Sequence, residues 1–378
     1  MKIEDFKSGR YEQGYKYKYF IPEKINHSWS WNDPSLSVLL EKASLKLGEL
    51  NSMARIVPDI DMFIHMHVTN ESVISSRIEG TKTNIEEALL PEEEINPEKI
   101  DDWKEVNNYT KALNKSIAKM NKFPISTPLF KEAHATLMEN VRGENKQPGE
   151  YRISQNWIGG ASLDDAVFVP PSHELVGELM GDLENFIHNA NLEIPQLIRI
   201  ALAHYQFETI HPFLDGNGRI GRLMITLFLV EKNILEKPLL YLSYFFERKK
   251  SLYYDNLTNV RTKNDLIGWI KYFLIGIQEV SEKSIKTLKK IITLKERIEI
   301  EIFTWRRKSN SAHMLMKYLF QTPFVTISDA QKITKLSKKS AGDLVNLFEE
   351  KKYLFEITGS PRYKFYIFKP YMDLFKNE

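Results

Sequence analysis

Twelve residues, His211-Pro-Phe-Leu-Asp-Gly-Asn-Gly-Arg-Ile-Gly-Arg222, hold the parts needed to move a phosphoryl-type group. Imidazole titrates near neutral pH, so His211 is a candidate base for an attacking hydroxyl. Asp215 is a hard oxygen ligand, of the kind that holds Mg²⁺ jointly with phosphates. Gly216-Asn217-Gly218 offers backbone N–H groups to an anion with little side chain in the way. Arg219 and Arg222 are spaced to fork onto phosphate oxygens. Taken singly, each fragment is more often a turn, a surface charge or a structural pair. Within one twelve-residue block, the charges and glycines agree on a single chemistry.

Two helices must position this block. The apolar run over 223–230 predicts a buried helix with Gly216 to Gly218 at its positive end, where bound phosphate is favoured. Residues 198–210 predict the helix that leads into His211. Gln206, one turn before the histidine, and Tyr254, in a later helix, are further candidates to meet a nucleotide. Upstream, residues 63–78 are periodic enough for another helix, with Ser75 and Glu79 one turn apart and Gly80 as a stop. Two short apolar runs, Gln155-Asn156-Trp157-Ile158-Gly159-Gly160 and Ala166-Val167-Phe168-Val169-Pro170-Pro171, flank turn residues and predict a β-hairpin.

The twelve-residue block resembles the signature of the Fic family, His-x-Phe-x-(Asp/Glu)-Gly-Asn-Gly-Arg-x-x-Arg, at every fixed position. Ser75-Ser76-Arg77-Ile78-Glu79-Gly80 is similar to that family's inhibitory pattern, (Ser/Thr)-x-x-x-Glu-(Gly/Asn). The resemblance implies transfer of AMP from ATP to a Ser, Thr or Tyr hydroxyl of a protein, which includes the chain itself. Carried over, His211 is the general base and Asp215 holds Mg²⁺ against the α- and β-phosphates. The backbone of Gly216 to Gly218 and the Asn217 side chain cradle phosphates, Arg219 steadies pyrophosphate, and Arg222 grips the γ-phosphate. Glu79 is expected to pair with Arg222 and occupy the γ-phosphate position. The hairpin, with Trp157, Ile158, Gly159 and Phe168, resembles the family's flap, which lays a target segment alongside by strand pairing. In some members the inhibitory glutamate also helps remove AMP, and others use a different nucleotide donor. Both alternatives stay open here.

The bulk properties fit this picture. The chain has 378 residues, a formal net charge of +2, 42% hydrophobic residues and a mean hydropathy of −0.37. Zero cysteines exclude disulfides, cysteine nucleophiles and cysteine-held zinc. The first residues lack the apolar stretch of a signal peptide, and no run is long enough to span a bilayer, so a cytoplasmic location without membrane contact is expected. The expected fold is mainly α: a helical bundle with a β-hairpin flap, plus a small C-terminal winged-helix α+β domain. Three regions are expected: 1–120, an extended arm and helices with the Glu79 helix; 121–300, the catalytic core; and 301–378, the winged helix. The acidic stretch from Pro91 reads as a solvated connection.

The tail differs in charge, with 14 basic and 8 acidic residues over 301–378, a net of about +6. Its predicted order is a helix over 312–321, a strand over 324–327, a helix N-capped by Ser328, a helix carrying Leu344, Leu347 and Phe348 inward, and a hairpin. Winged helices often set their third helix in a DNA groove, which would put Lys338, Lys339 and Arg362 on DNA. Partner docking or homodimerisation is the other use of such a module. The rival function is thus a DNA-binding regulator whose nucleotide site is a sensor.

Overall fold

The computed structural model describes residues 1–57, 60–142, 145–359 and 364–376. The N-terminal arm is an antiparallel hairpin, β1 (Gly9–Gln13) and β2 (Lys18–Pro22), with Gly9 opposite Pro22. It is anchored rather than loose, because Ile3, Phe6, Ile25 and Trp29 are buried in the main core.

Helix α1 (Pro34–Ile56) starts where Asp33 accepts the N–H groups of Ser35 and Leu36 and Pro34 fixes the first turn. Next come α2 (Asp61–Ile78), α3 (Ile85–Leu89), α4 (Ile100–Met120) and α5 (Thr127–Leu137). Val106, Tyr109, Ala112, Leu113 and Ser116 recur three and four apart on α4, and that face is buried. Then follow α6 (Val176–His188), α7 (Gln196–Ile210), α8 (Asn217–Glu231), α9 (Ser243–Arg248) and α10 (Lys250–Lys263). Residues 197–210 of α7 are all buried, and so is nearly all of α8, so this pair forms the centre of the core. A helix apolar all round needs neighbours on every side. Here α6, α4, α5, β2 and α11 (Leu266–Phe303) supply them.

The 38-residue α11 packs along α1 and runs through the boundary expected near 300. Beyond it lie α12 (Ser309–Gln321), β3 (Phe324–Thr326), α13 (Ile327–Thr334), α14 (Lys338–Glu350), β4 (Leu354–Glu356), β5 (Phe365–Phe368) and α15 (Lys369–Lys376). The strands form one antiparallel sheet in the order β3-β5-β4. The N-cap of α13 is Thr326 in a capping box with Asp329, not Ser328, because Thr326 can bond Asp329 from both its hydroxyl and its backbone. On α14, Leu344, Val345 and Phe348 are buried while Leu347 is half-buried. Lys338 and Lys339 are exposed, and Arg362 lies outside the described residues. No described helix is long and apolar enough to cross a membrane.

Candidate active site

The signature loop joins α7 to α8 between two residues of left-handed backbone, His211 (φ 52°) and Gly216 (φ 73°). Side chains from elsewhere hold the carbonyls of His211, Phe213 and Asp215 in this loop. Arg152, only 2% exposed, donates Nε to His211 O at 3.0 Å and Nη2 to Pro171 O at 2.5 Å and Ile210 O at 3.3 Å. Asn156 donates to Phe213 O at 2.9 Å. His134 lies flat on Phe213, ring centroids 3.9 Å apart, bonds Asp215 O through Nε2 at 3.0 Å, and accepts the Gly149 N–H on Nδ1 at 2.9 Å. That pattern fixes a neutral tautomer, and burial pushes its imidazole down to about 4.

This scaffold opens onto a cavity of about 530 Å³, within the range of small-ligand sites. Its lining includes His211, Asp215, Gly216, Gly218, Arg222 and Glu79 on one side. The flap residues Trp157, Ile158, Gly159 and Phe168 close a second side, and Tyr254, Leu257, Thr258 and Arg261 of α10 a third. Burial, then the cations of Arg152 and Arg261, push the His211 imidazole down to about 3. At neutral pH it is uncharged and able to accept a proton.

Arg222 is 2% exposed and donates Nε to Ser75 Oγ at 2.9 Å, and Nη2 to Ser75 O at 2.9 Å and Glu79 Oε1 at 2.7 Å. Burial opposes its charge, but Glu79, Tyr253 and Glu208 outweigh burial and raise its pKa. Burial likewise pushes Glu79 up, but Arg222 pulls harder and holds it below the usual carboxylate range. A Cβ on Gly218 would lie 2.4 Å from Glu79 Oε1, so glycine lets this carboxylate rest on the first turn of α8. An anion-binding helix end is therefore met by the chain's own anion.

Three expected contacts are arranged differently. The Asn217 side chain bonds both backbone groups of Phe213, at 2.8 Å each, and so closes the loop rather than reaching out for phosphate. Arg219 is turned into the core, its Nη1 3.0 Å from Glu105 Oε2 on α4, because that buried carboxylate needs a cation. Gln206 is fully buried and donates to Glu23 O, away from the cavity. The flap is a single antiparallel bridge, Ile158 with Phe168, rather than an extended ladder. It is braced instead: Phe20 N–H of β2 bonds Val169 O at 2.9 Å, and the Arg261 guanidinium stacks 3.8 Å from the Phe168 ring.

His134, Arg152, Asn156, Glu208 and Arg261 were not singled out from the sequence for these positions. Glu208 lines the cavity, burial raises it to about 7, and its Oε1 has no partner among the described residues. Its place three residues before His211 is the one signal that points to it.

No cluster of three or more metal-type ligands occurs among the described residues. Asp215 is exposed, with Oδ1 accepting Gly216 N–H at 2.6 Å, which leaves its other oxygen open. One carboxylate fits Mg²⁺, which keeps its remaining positions for phosphate and water.

Residues 38–118 match the N-terminal region of the Fic/DOC family and residues 124–229 match the Fic/DOC family itself. The chain belongs to the Fic/DOC family. A Fic family protein from Desulfovibrio desulfuricans superposes with a TM-score of 0.56 at 19% identity, covering 92% of this chain and 98% of that one. A Fic domain containing signaling protein from Bacteroides thetaiotaomicron gives 0.53 at 18%, covering 66% and 97%. These show a shared fold. The protein adenylyltransferase fic-1 of Caenorhabditis elegans is 31% identical over 31% of this Fic chain and 22% of its own length. A probable protein adenylyltransferase from Aquifex aeolicus is 28% identical over 47% and 52%. The chain thus spans between about a fifth and a half of the curated relatives it matches.

Proposed function

We propose that this Fic protein transfers AMP from ATP to a protein hydroxyl and is held back by Glu79. One observation carries the reading: a neutral His211, Asp215, the α8 N-terminus and an Arg222 already occupied by Glu79 all face one cavity. His211 accepts the hydroxyl proton as the oxygen bonds to the α-phosphorus, and the bond from that phosphorus to the bridging oxygen breaks to release pyrophosphate. A backbone-lined anion site beside the base suits charge that grows on phosphate. When bound through Asp215, Mg²⁺ would neutralise phosphate charge. Glu79 on Arg222 takes the place the γ-phosphate needs, so ATP is held out of line with the attacking hydroxyl.

The names of the relatives support adenylyl transfer as the reaction class. The braced flap supports a target that docks by its backbone as an extended segment. The experiment is label transfer from α-³²P-ATP with Mg²⁺, to the chain itself and to cell lysate. Glu79→Gly should label strongly, and Glu79→Gly/His211→Ala should not. A γ-labelled control separates AMP transfer from phosphorylation, and no label in any variant overturns the reading. The DNA-binding alternative retains one supporting observation, the exposed Lys338 and Lys339 at the start of α14. A gel shift that weakens steeply with salt would favour it.

A further inference from the structure

Helix α2 is gripped at two places. Its last turn meets Arg222 through Ser75 and Glu79. Its first turns meet the C-terminal unit instead: Phe63 is edge-on to Phe320 of α12 at 5.8 Å, and His67 is edge-on to Phe375 of α15 at 5.3 Å. All four rings are buried. Phe320 also packs on Tyr371, and Tyr371 on Phe375, so both contacts belong to one aromatic cluster.

Along α2 the residues His67, Glu71, Ser75 and Glu79 recur every four positions and form one slowly turning stripe. Glu71 in its middle accepts Tyr109 of α4 and Ser243 of α9, Ser75 and Glu79 accept Arg222, and His67 ends the stripe on Phe375. A helix moves nearly as a rigid rod with a rise of about 1.5 Å per residue, so a shift at His67 reaches Glu79 about 18 Å away. The contact there is one short, directional ion pair, which an ångström of displacement would break.

We infer that the C-terminal unit is a second clamp on the inhibitory helix, with Phe320 and Phe375 as positioning residues that act on Arg222 through the seating of Glu79. This rests on Glu79 being the brake, so the test pairs an activity readout with one that needs no activity. In the full-length chain, Phe375→Ala should speed amide hydrogen exchange over residues 61–78 at least fivefold and raise AMP transfer severalfold. In a Glu79→Gly background the same change should add nothing, because the brake is already gone. Unchanged exchange in α2, or a rise that persists without Glu79, overturns the clamp. No label even from Glu79→Gly would count against the transferase reading, and the exchange result would still decide the clamp.

Phe375→Ala carries a risk of unfolding the small unit, so a second variant works in the opposite direction. The natural sequence has no cysteine. In His67→Cys/Phe375→Cys, a small oxidant therefore joins only the introduced thiols, and the linked fraction is confirmed by mass before exchange is read. Cross-linking should slow α2 exchange and lower basal transfer relative to the same protein before linking, and no change in exchange overturns the proposal.

Discussion

The signature loop and the end of α2 face the same cavity but are held in opposite ways. The loop is over-determined: Arg152, Asn156, His134 and Asn217 each bond its backbone, and removing any one leaves others in place. The proposed brake is one carboxylate on one guanidinium, with the Glu79 side chain 35% exposed. The loop is buried and bonded from several sides, while at the end of α2 the two bonds from Arg222 to Ser75 are buried and the one to Glu79 lies at the water's edge. The carboxylate end of the pair reaches water while Arg222 stays buried, so Glu79 is the end that can exchange its partner for solvent.

Breaking the rigid side should give the largest effects. His211→Ala in a Glu79→Gly background is expected to lower transfer by about 10²–10⁴-fold, the usual contribution of a positioned base. Arg152→Ala strips donors from the carbonyls of Ile210, His211 and Pro171 at once, and should cost about 3–5 kcal/mol in denaturant unfolding. A loss below about 1 kcal/mol would mean that the loop is not held as described.

A third prediction separates the scaffold from the chemistry by pH. The His134 imidazole takes up its proton near 4 in the folded chain and near 6.5 when unfolded. Between these values the unfolded chain binds more protons, so stability falls as pH drops from about 6.5 to about 4 and is fully present above that window. His134 contributes about 3 kcal/mol to this fall, beside the other buried histidines, and His134→Gln, which keeps a donor and an acceptor, should lower the slope by that share. Denaturation midpoints at several pH values read it directly.

Breaking the releasable side should change stability least and activity in the other direction. Glu79→Gly is expected to raise transfer about tenfold or more, a change equal to about 1.4 kcal/mol of coupling, while shifting the unfolding midpoint little. A large loss of stability with no gain in transfer would erase the contrast between the two regions.

Much of this arrangement was legible in the sequence because it depends on short-range spacing. The helices on either side of the His211–Arg222 block and the helix end at Ser75–Glu79 follow from local periodicity and glycine placement, while the pairing of Glu79 with Arg222 was implied by the family resemblance. What was not legible depends on partners far along the chain. Nothing near Arg219 announces Glu105, more than a hundred residues earlier, as its counter-ion. Arg152 reads as a surface-type residue until the carbonyls of Ile210, His211 and Pro171 need a donor. Asn217 reads as a phosphate ligand until the tight turn claims both ends of its amide. The N-cap of α13 fell two residues from the expected Ser328, because a capping box outweighs a lone serine.

The left-handed backbone at His211, the proposed base, narrows which side chains that position can carry. At φ 52° a β-branched or bulky side chain is strained, and outside glycine the residues that enter this region most readily are asparagine, aspartate and histidine. Of these, the asparagine amide is not a base and aspartate would bring a negative charge beside the anion site of α8, which leaves histidine as the neutral proton acceptor. The fold thus preselects the side chain, and the cleanest way to silence the site without disturbing the turn is asparagine in place of alanine.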